Sequence, residues 1–305
     1  MSIHRRQFLT YAGMAGPAAF LSLVTSGRSQ APSVAAVPFK LPLKQNSTRF
    51  AVIGDTGTGD AAQFQIAQGM QRARAEFPFE FVLMLGDNIY GNNDASGFRQ
   101  KFEAPYQPLL KSGVKFYAVL GNHDDPNQRL YKPFNMDGKR FYTFNKGDTQ
   151  FFALDSTYMS PEQLSWLQKE LSDSSAKWKI CCFHHPLYSD ARFHGPDLDL
   201  RKRLEPILSQ FGANVVLNGH EHVYERLQPQ HGIQYFILGS GGQLRRGDLR
   251  PSRDVAKGFD SDRAFALMEV SGDELYFQVI SGRGETVDSG VLTKMVAVAA
   301  VSARG

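Results

Sequence analysis

Cysteine is nearly absent: the 305-residue chain has two, Cys181 and Cys182, and they are neighbours. Adjacent residues on a strand face opposite ways, so no structural disulfide is expected, and two buried thiols are. Long apolar runs are missing too. YAGMAGPAAFLSLV, near the start, holds two glycines and a proline, and MVAVAAV, near the end, is shorter still; neither reaches the about 20 apolar residues of a membrane span. The first 36 residues contain no acid, while Arg5, Arg6 and Arg28 there account for three of the formal net charge of +4. The remainder is nearly balanced, and no stripe of aromatic and basic residues accompanies it. The basic pI therefore says little in favour of a nucleic-acid partner. No internal repeat and no low-complexity tract stands out.

Apolar residues make up 42% of the chain, ample for a core. Five short polar segments each follow an apolar, β-rich run: GDTG at 54–57, GDNIY at 86–90, GNHD at 121–124, FHHP at 183–186 and GHEH at 219–222. Gly-Asp and Gly-Asn after a strand are ordinary turn chemistry. Turns do not, however, require His184 after ICCF, or the His-x-His of 220–222 after NVVLNG. Asp55, Asp87, Tyr90, Asn122, His184, His220 and His222 together offer the oxygen and nitrogen donors that a pair of metal ions needs. Donors from five strands can converge only if those strands are neighbours, and open α/β sheets place their sites beyond the carboxyl ends of the strands. The length alone would suggest about two domains. The donors span Asp55 to His222, so one catalytic domain must hold nearly everything.

The order GDxG, GDxxY, GNH(D/E), HxP, GHxH resembles that of the calcineurin-like metallophosphoesterases, and the tyrosine of GDNIY is similar to the purple acid phosphatase branch. The resemblance runs from about Arg49 to about Ser281 and takes in FHGP around His194, GHEHVYER and the hairpin FYTFNKGDTQFFALDS. It implies a four-layer α/β/β/α sandwich with two mixed β-sheets and the metals at its edge. It also implies that Asp55, Asp87, Tyr90 and His222 hold a first metal, while Asp87, Asn122, His184 and His220 hold a second, with Asp87 bridging. A phenolate from Tyr90 favours ferric iron in the first site; the amide and imidazoles of the second suit a divalent ion, Zn2+, Mn2+ or Fe2+.

The function so implied is hydrolysis of phosphate monoesters, acid phosphatase type, by attack of a metal-bound hydroxide. His123 and His194 resemble the family's substrate-contacting histidines, with His123 touching the phosphate and His194 protonating the leaving group. His185 is set aside, because strand alternation would turn it away from His184. A phosphodiesterase or nucleotide-hydrolysing relative would use the same metals and differ in pocket walls such as 91–98 and 243–256. A metal-bearing binding protein without turnover would be expected to have lost donors or His194, and this chain has not.

HRRQFLT followed by the mild apolar stretch reads as a twin-arginine export signal over 1–36, with VAAVP supplying small residues for cleavage near Ala36. Expected partners are small phosphorylated substrates and the twin-arginine machinery; the expected location is periplasmic or secreted. A Pro-containing linker, 37–48, then leads to a catalytic domain over 49–293 and a tail over 294–305. The coarse periodicity predicts twelve strands between 50 and 293, and helices over 60–76, 98–111, 161–172 and 197–211, the last bent at Pro206.

Overall fold

The computed structural model describes residues 41–294. The export reading of 1–36, the start of the linker and most of the tail lie outside the described residues. The chain alternates strand and helix at first: β1 (Thr48–Ile53), α1 (Ala61–Glu76), β2 (Phe81–Met84), α2 (Ala95–Phe98), α3 (Ala104–Lys111) and β3 (Lys115–Ala118). A hairpin of β4 (Tyr142–Lys146) and β5 (Thr149–Ala153) follows, then α4 (Pro161–Asp173), β6 (Trp178–Cys182), α5 (Leu198–Gln210) and β7 (Val215–Asn218). The remainder is strand: β8 (Tyr224–Leu227), β9 (Gln234–Leu238), β10 (Val255–Phe259), β11 (Ala264–Ser271), β12 (Glu274–Ser281) and β13 (Thr286–Thr293).

Two mixed sheets result, of order β13-β12-β11-β1-β2-β3 and β10-β8-β9-β7-β6-β5-β4. In the first, β1, β2 and β3 are parallel neighbours; in the second, β5, β6, β7 and β9 are. The sheets stack through aromatic contacts. Phe50 and Phe81 meet Phe151 edge-on at 5.3 and 5.4 Å, and Phe236 meets Phe277 at 5.1 Å. Such pairs stabilise beyond their buried area. Ile66 and Met70 of α1 join the core of the first sheet. Leu167 and Leu171 of α4, with Leu200, Leu204 and Leu208 of α5, cover the outer face of the second. The layers are therefore α/β/β/α, as the motifs imply.

The cysteines follow the alternation of β6. Cys182 packs between the sheets, Cys181 packs under α4 and α5, and both are free. Side-chain oxygens mark the helix starts: Asp60 accepts from the N–H groups of Ala62 and Gln63, Ser160 from Gln163 and Asp197 from Leu200. Two details differ from the sequence reading. The expected helix 98–111 begins at Ala95 and passes through a wider turn at Arg99–Glu103. The strand β10 was not expected. The end of the linker is tied down, since the N–H groups of Leu43 and Lys44 and the hydroxyl of Ser47 donate to the buried carboxylate of Glu269 on β11.

Candidate metal centre

The parallel neighbours fix where the polar segments meet. Asp55 leaves β1, Asp87 leaves β2 and Asn122 lies beyond β3, while His184 lies beyond β6 and His220 and His222 beyond β7. All six therefore sit at the carboxyl-end edge of two stacked sheets, and Tyr90 joins them from the segment after Asp87. The two edges are stitched directly. His184 Nδ1 lies 2.8 Å from the Leu85 carbonyl oxygen, the Gly241 N–H donates to the Gly54 carbonyl, and the Gly242 N–H to that of Asp55.

Three of the donors sit in the left-handed backbone region unusual for residues with a Cβ: Asp55 at φ 56°, Asp87 at 50° and His220 at 71°. Such conformations cost about 1–3 kcal/mol and persist where the surroundings over-determine them. Here backbone and carboxylate are both held: the Asp55 N–H donates to the Gly86 carbonyl (3.0 Å) and the Gly57 N–H to that of Asp87 (3.2 Å). Asp55 Oδ2 accepts from the His220 N–H (2.9 Å) and Asp87 Oδ1 from the His123 N–H (3.0 Å). Gly121 has to be glycine for a different reason: a Cβ there would fall 2.2 Å from Asp87 Oδ1.

The donors form two groups. Asp55, Asp87 and His222 each place an atom within 4.8 Å of the other two, and so do His184, His185 and His220. Tyr90 belongs with the first, its hydroxyl 3.4 Å from Asp55 Oδ1 and 3.3 Å from His222 Nε2. Asn122 belongs with the second, its Oδ1 3.0 Å from both His184 Nε2 and His220 Nδ1. Asp87 reaches across, with Oδ1 3.5 Å from His184 Nε2.

The hydrogen-bond chemistry of these atoms fits a pair of cations. A carbonyl only accepts, so His184 carries its proton on Nδ1, toward Leu85, and presents a bare lone pair at Nε2. That lone pair faces Asn122 Oδ1, Asp87 Oδ1 and, at 3.2 Å, His220 Nδ1. Acceptors converging on acceptors require positive charge among them, and a ligating His that gives its other N–H to a carbonyl is the usual arrangement. The titration behaviour agrees. Burial, then the Asp87 carboxylate, hold the Asp55 carboxyl well above its ordinary range; burial, Asp55 and Asp87 do the same to the Tyr90 phenol. Burial lowers His184 and His220, and burial with the Arg245 charge takes His222 down to about 3. The site resists an ionised Asp55 and charged imidazoles alike, leaving the positive charge to be supplied from outside.

The two accessory histidines lie at the rim. His194, on the loop after β6, packs its ring 4.2 Å from that of His220, and His123 stands exposed with its ring 5.2 Å from Tyr90. Burial and the charge of Arg245 lower the His194 pKa from its ordinary value.

Residues 48–224 match the family model described as calcineurin-like phosphoesterase, more than half of the chain. The chain belongs to this family. Among relatives of the calcineurin-like phosphoesterase, purple acid phosphatase 4 of Arabidopsis thaliana is 30% identical over 79% of this chain and 83% of its own. Tartrate-resistant acid phosphatase type 5 of Mus musculus is 26% identical over 81% of this chain and 92% of its own. Purple acid phosphatase PPD1 from yellow lupin (Lupinus luteus) seeds superposes with a TM-score of 0.70 at 19% identity, covering 81% of this chain and 54% of that one. This phosphoesterase therefore stands with the purple acid phosphatases. It is a hydrolase of phosphoesters with a dinuclear metal site.

The structure corrects one reading and adds two residues. His185 does not turn away: its ring lies 4.4 Å from that of His220, because β6 ends at Cys182 and strand alternation no longer governs the chain at 184–185. The doublet in FHHP was the available signal. Asp124, the last residue of GNHD, is buried and organises the exits of β2 and β3. Its carboxylate accepts from the N–H groups of Asn88, Ile89 and Gly121 and from the amides of Asn88 and Gln128. Ser156 touches His185 from the loop after β5, and nothing in its sequence context marks it.

Proposed function

We propose that this phosphoesterase is an exported phosphomonoesterase of acid phosphatase type, and that its seven donors divide between two ions. Asp55, Asp87, Tyr90 and His222 would hold ferric iron; Asp87, Asn122, His184 and His220 would hold Zn2+, Mn2+ or Fe2+. The observation carrying this reading is the pair of donor groups, 4.8 Å or less across, joined by Asp87, with a phenol in only one of them. When bound, such ions supply Lewis acidity toward a phosphoryl oxygen and a water activated for attack.

The residues of the chain have separate tasks. Leu85 fixes the tautomer of His184, and the His123 N–H fixes the Asp87 carboxylate, so the donors are set before a substrate arrives. His123, exposed beside Asn122, would donate to a phosphate oxygen. His194 would give its ring proton to the leaving-group oxygen, a contribution of about 10²–10⁴ in rate. Export rests on Arg5, Arg6 and the apolar stretch that follows them; small phosphorylated molecules outside the cytoplasm are then the substrates. No helix among the described residues is long and apolar enough to cross a membrane.

A panel of phosphomonoesters and diesters, run on metal-analysed enzyme across acid to neutral pH, tests the reading. Monoesters should give the higher kcat/KM, with the optimum in acid. Faster turnover of diesters would replace the reading by the phosphodiesterase alternative.

A further inference from the structure

His185 lies within the second donor group, yet its hydrogen bonds set it apart from His184 and His220. Ser156 Oγ is 3.0 Å from the His185 backbone nitrogen and 2.9 Å from its Nδ1. The backbone N–H can only donate, so Oγ accepts there. Ser156 is 7% exposed, and its hydroxyl proton has no other partner among the described residues. Were Nδ1 protonated, that buried proton would be left without an acceptor, at a cost of about 1–3 kcal/mol. The arrangement satisfying all three groups has Ser156 Oγ–H donating to Nδ1, which puts the ring proton of neutral His185 on Nε2. His184 has the opposite tautomer, its proton on Nδ1 and its lone pair toward the donors. A nitrogen bearing a proton cannot take a cation, and it can donate to an anion.

Ser156 is itself held. The Asp155 carboxylate accepts from the N–H groups of Thr157 (3.0 Å) and Tyr158 (3.1 Å) and forms an ion pair with Arg140, whose Nε is 2.8 Å away, while the Asp155 backbone exchanges two hydrogen bonds with the Gln163 side chain. The hydroxyl that selects the tautomer thus sits on a closed, braced turn. The His185 ring is half-buried and lies 4.4 Å from the ring of His220, which the ring of His194 also approaches, at 4.2 Å.

We propose that His185 is a third substrate-contacting histidine, whose Nε2–H donates to a phosphate oxygen, and that Ser156 is its positioning residue. This rests on the phosphomonoesterase reading above. The test uses metal-loaded, full-length enzyme with three measurements: metal content, the inhibition constant of inorganic phosphate, and kcat/KM with a phosphomonoester. His185→Ala should keep the wild-type metal content while phosphate inhibits about 10- to 100-fold more weakly, the range for a hydrogen bond to a charged group. His185→Gln, which places an amide N–H near the position of Nε2, should recover most of that loss. Ser156→Ala should lose part of it, and Ser156→Thr, which keeps the hydroxyl, should not. Loss of metal in His185→Ala would make it a ligand and overturn the proposal. Unchanged phosphate inhibition and kcat/KM, or His185→Gln no better than His185→Ala, would overturn it equally. Wild-type enzyme that turns over no monoester would instead bring down the underlying reading, and this one with it.

Discussion

At the scale of single residues, Tyr90 is the proposed donor on which the choice of metal turns. A half-buried phenol beside two carboxylates does not ionise by itself, since burial, Asp55 and Asp87 all oppose it. A trivalent cation reverses that balance, and a phenolate on ferric iron absorbs in the visible. Tyr90→Phe should therefore lose its colour and hold iron more weakly while the fold, read by circular dichroism, is unchanged. A colourless wild-type protein with oxidised iron bound would show that Tyr90 is not a ligand. Single residues were also where the sequence was most legible. Each of the seven proposed donors, and His123 with them, stands in a short polar segment after an apolar run, a pattern that core packing does not generate, whereas His194 was marked only by the resemblance of FHGP. His185 was missed because the alternation rule was carried past the end of β6, which stops at Cys182. Ser156 could not have been found: its role depends on a neighbour 29 positions away in the chain.

Among the elements, the parallel strands and amphipathic helices were readable from periodicity, and their ends shifted by a few residues. The edge strand β10, VAKGF, contains a glycine and a lysine and is half-exposed along its length, so it carries neither alternation nor an apolar run. The turn through Arg99–Glu103 leaves no separate trace in a sequence that reads as one helix. On β8 a buried acid gives an element-level prediction. Glu225 is fully buried, accepts from Ser189 Oγ and the Asp190 N–H, and is pushed by burial up to about 7 from an ordinary 4.5. The folded chain then holds a proton that the unfolded chain has released, so this group's contribution is full below the unfolded value and is lost as pH rises through the folded one. Glu225→Gln, which keeps an acceptor oxygen without the charge, should flatten the fall in stability between about pH 5 and about pH 8, by on the order of 2–3 kcal/mol in denaturant unfolding. Wild type and variant losing equal stability over that window would show that the carboxyl is not protonated in the folded state.

On the scale of the whole molecule, two stacked sheets are needed because neither carries a complete site. The first supplies two aspartates, an asparagine and a tyrosine; the second supplies the histidines. The stacking that unites them depends on which strands are neighbours, something motif order suggested through the family resemblance and local pattern could not supply. If Arg5 and Arg6 form an export signal, changing both to Lys should retain the enzyme in the cytoplasm with its activity intact; undiminished activity in the periplasmic fraction of cells making that variant would refute the signal. The central claim is that one carboxylate joins two metal ions, and elemental analysis of Asp87→Asn beside wild type tests it most directly. Wild type should carry two metal equivalents per chain, at least one of them iron, and Asp87→Asn should lose metal from both sites together with turnover, whereas Asn122→Ala should empty mainly the second. Two full equivalents and wild-type activity in Asp87→Asn would contradict the account.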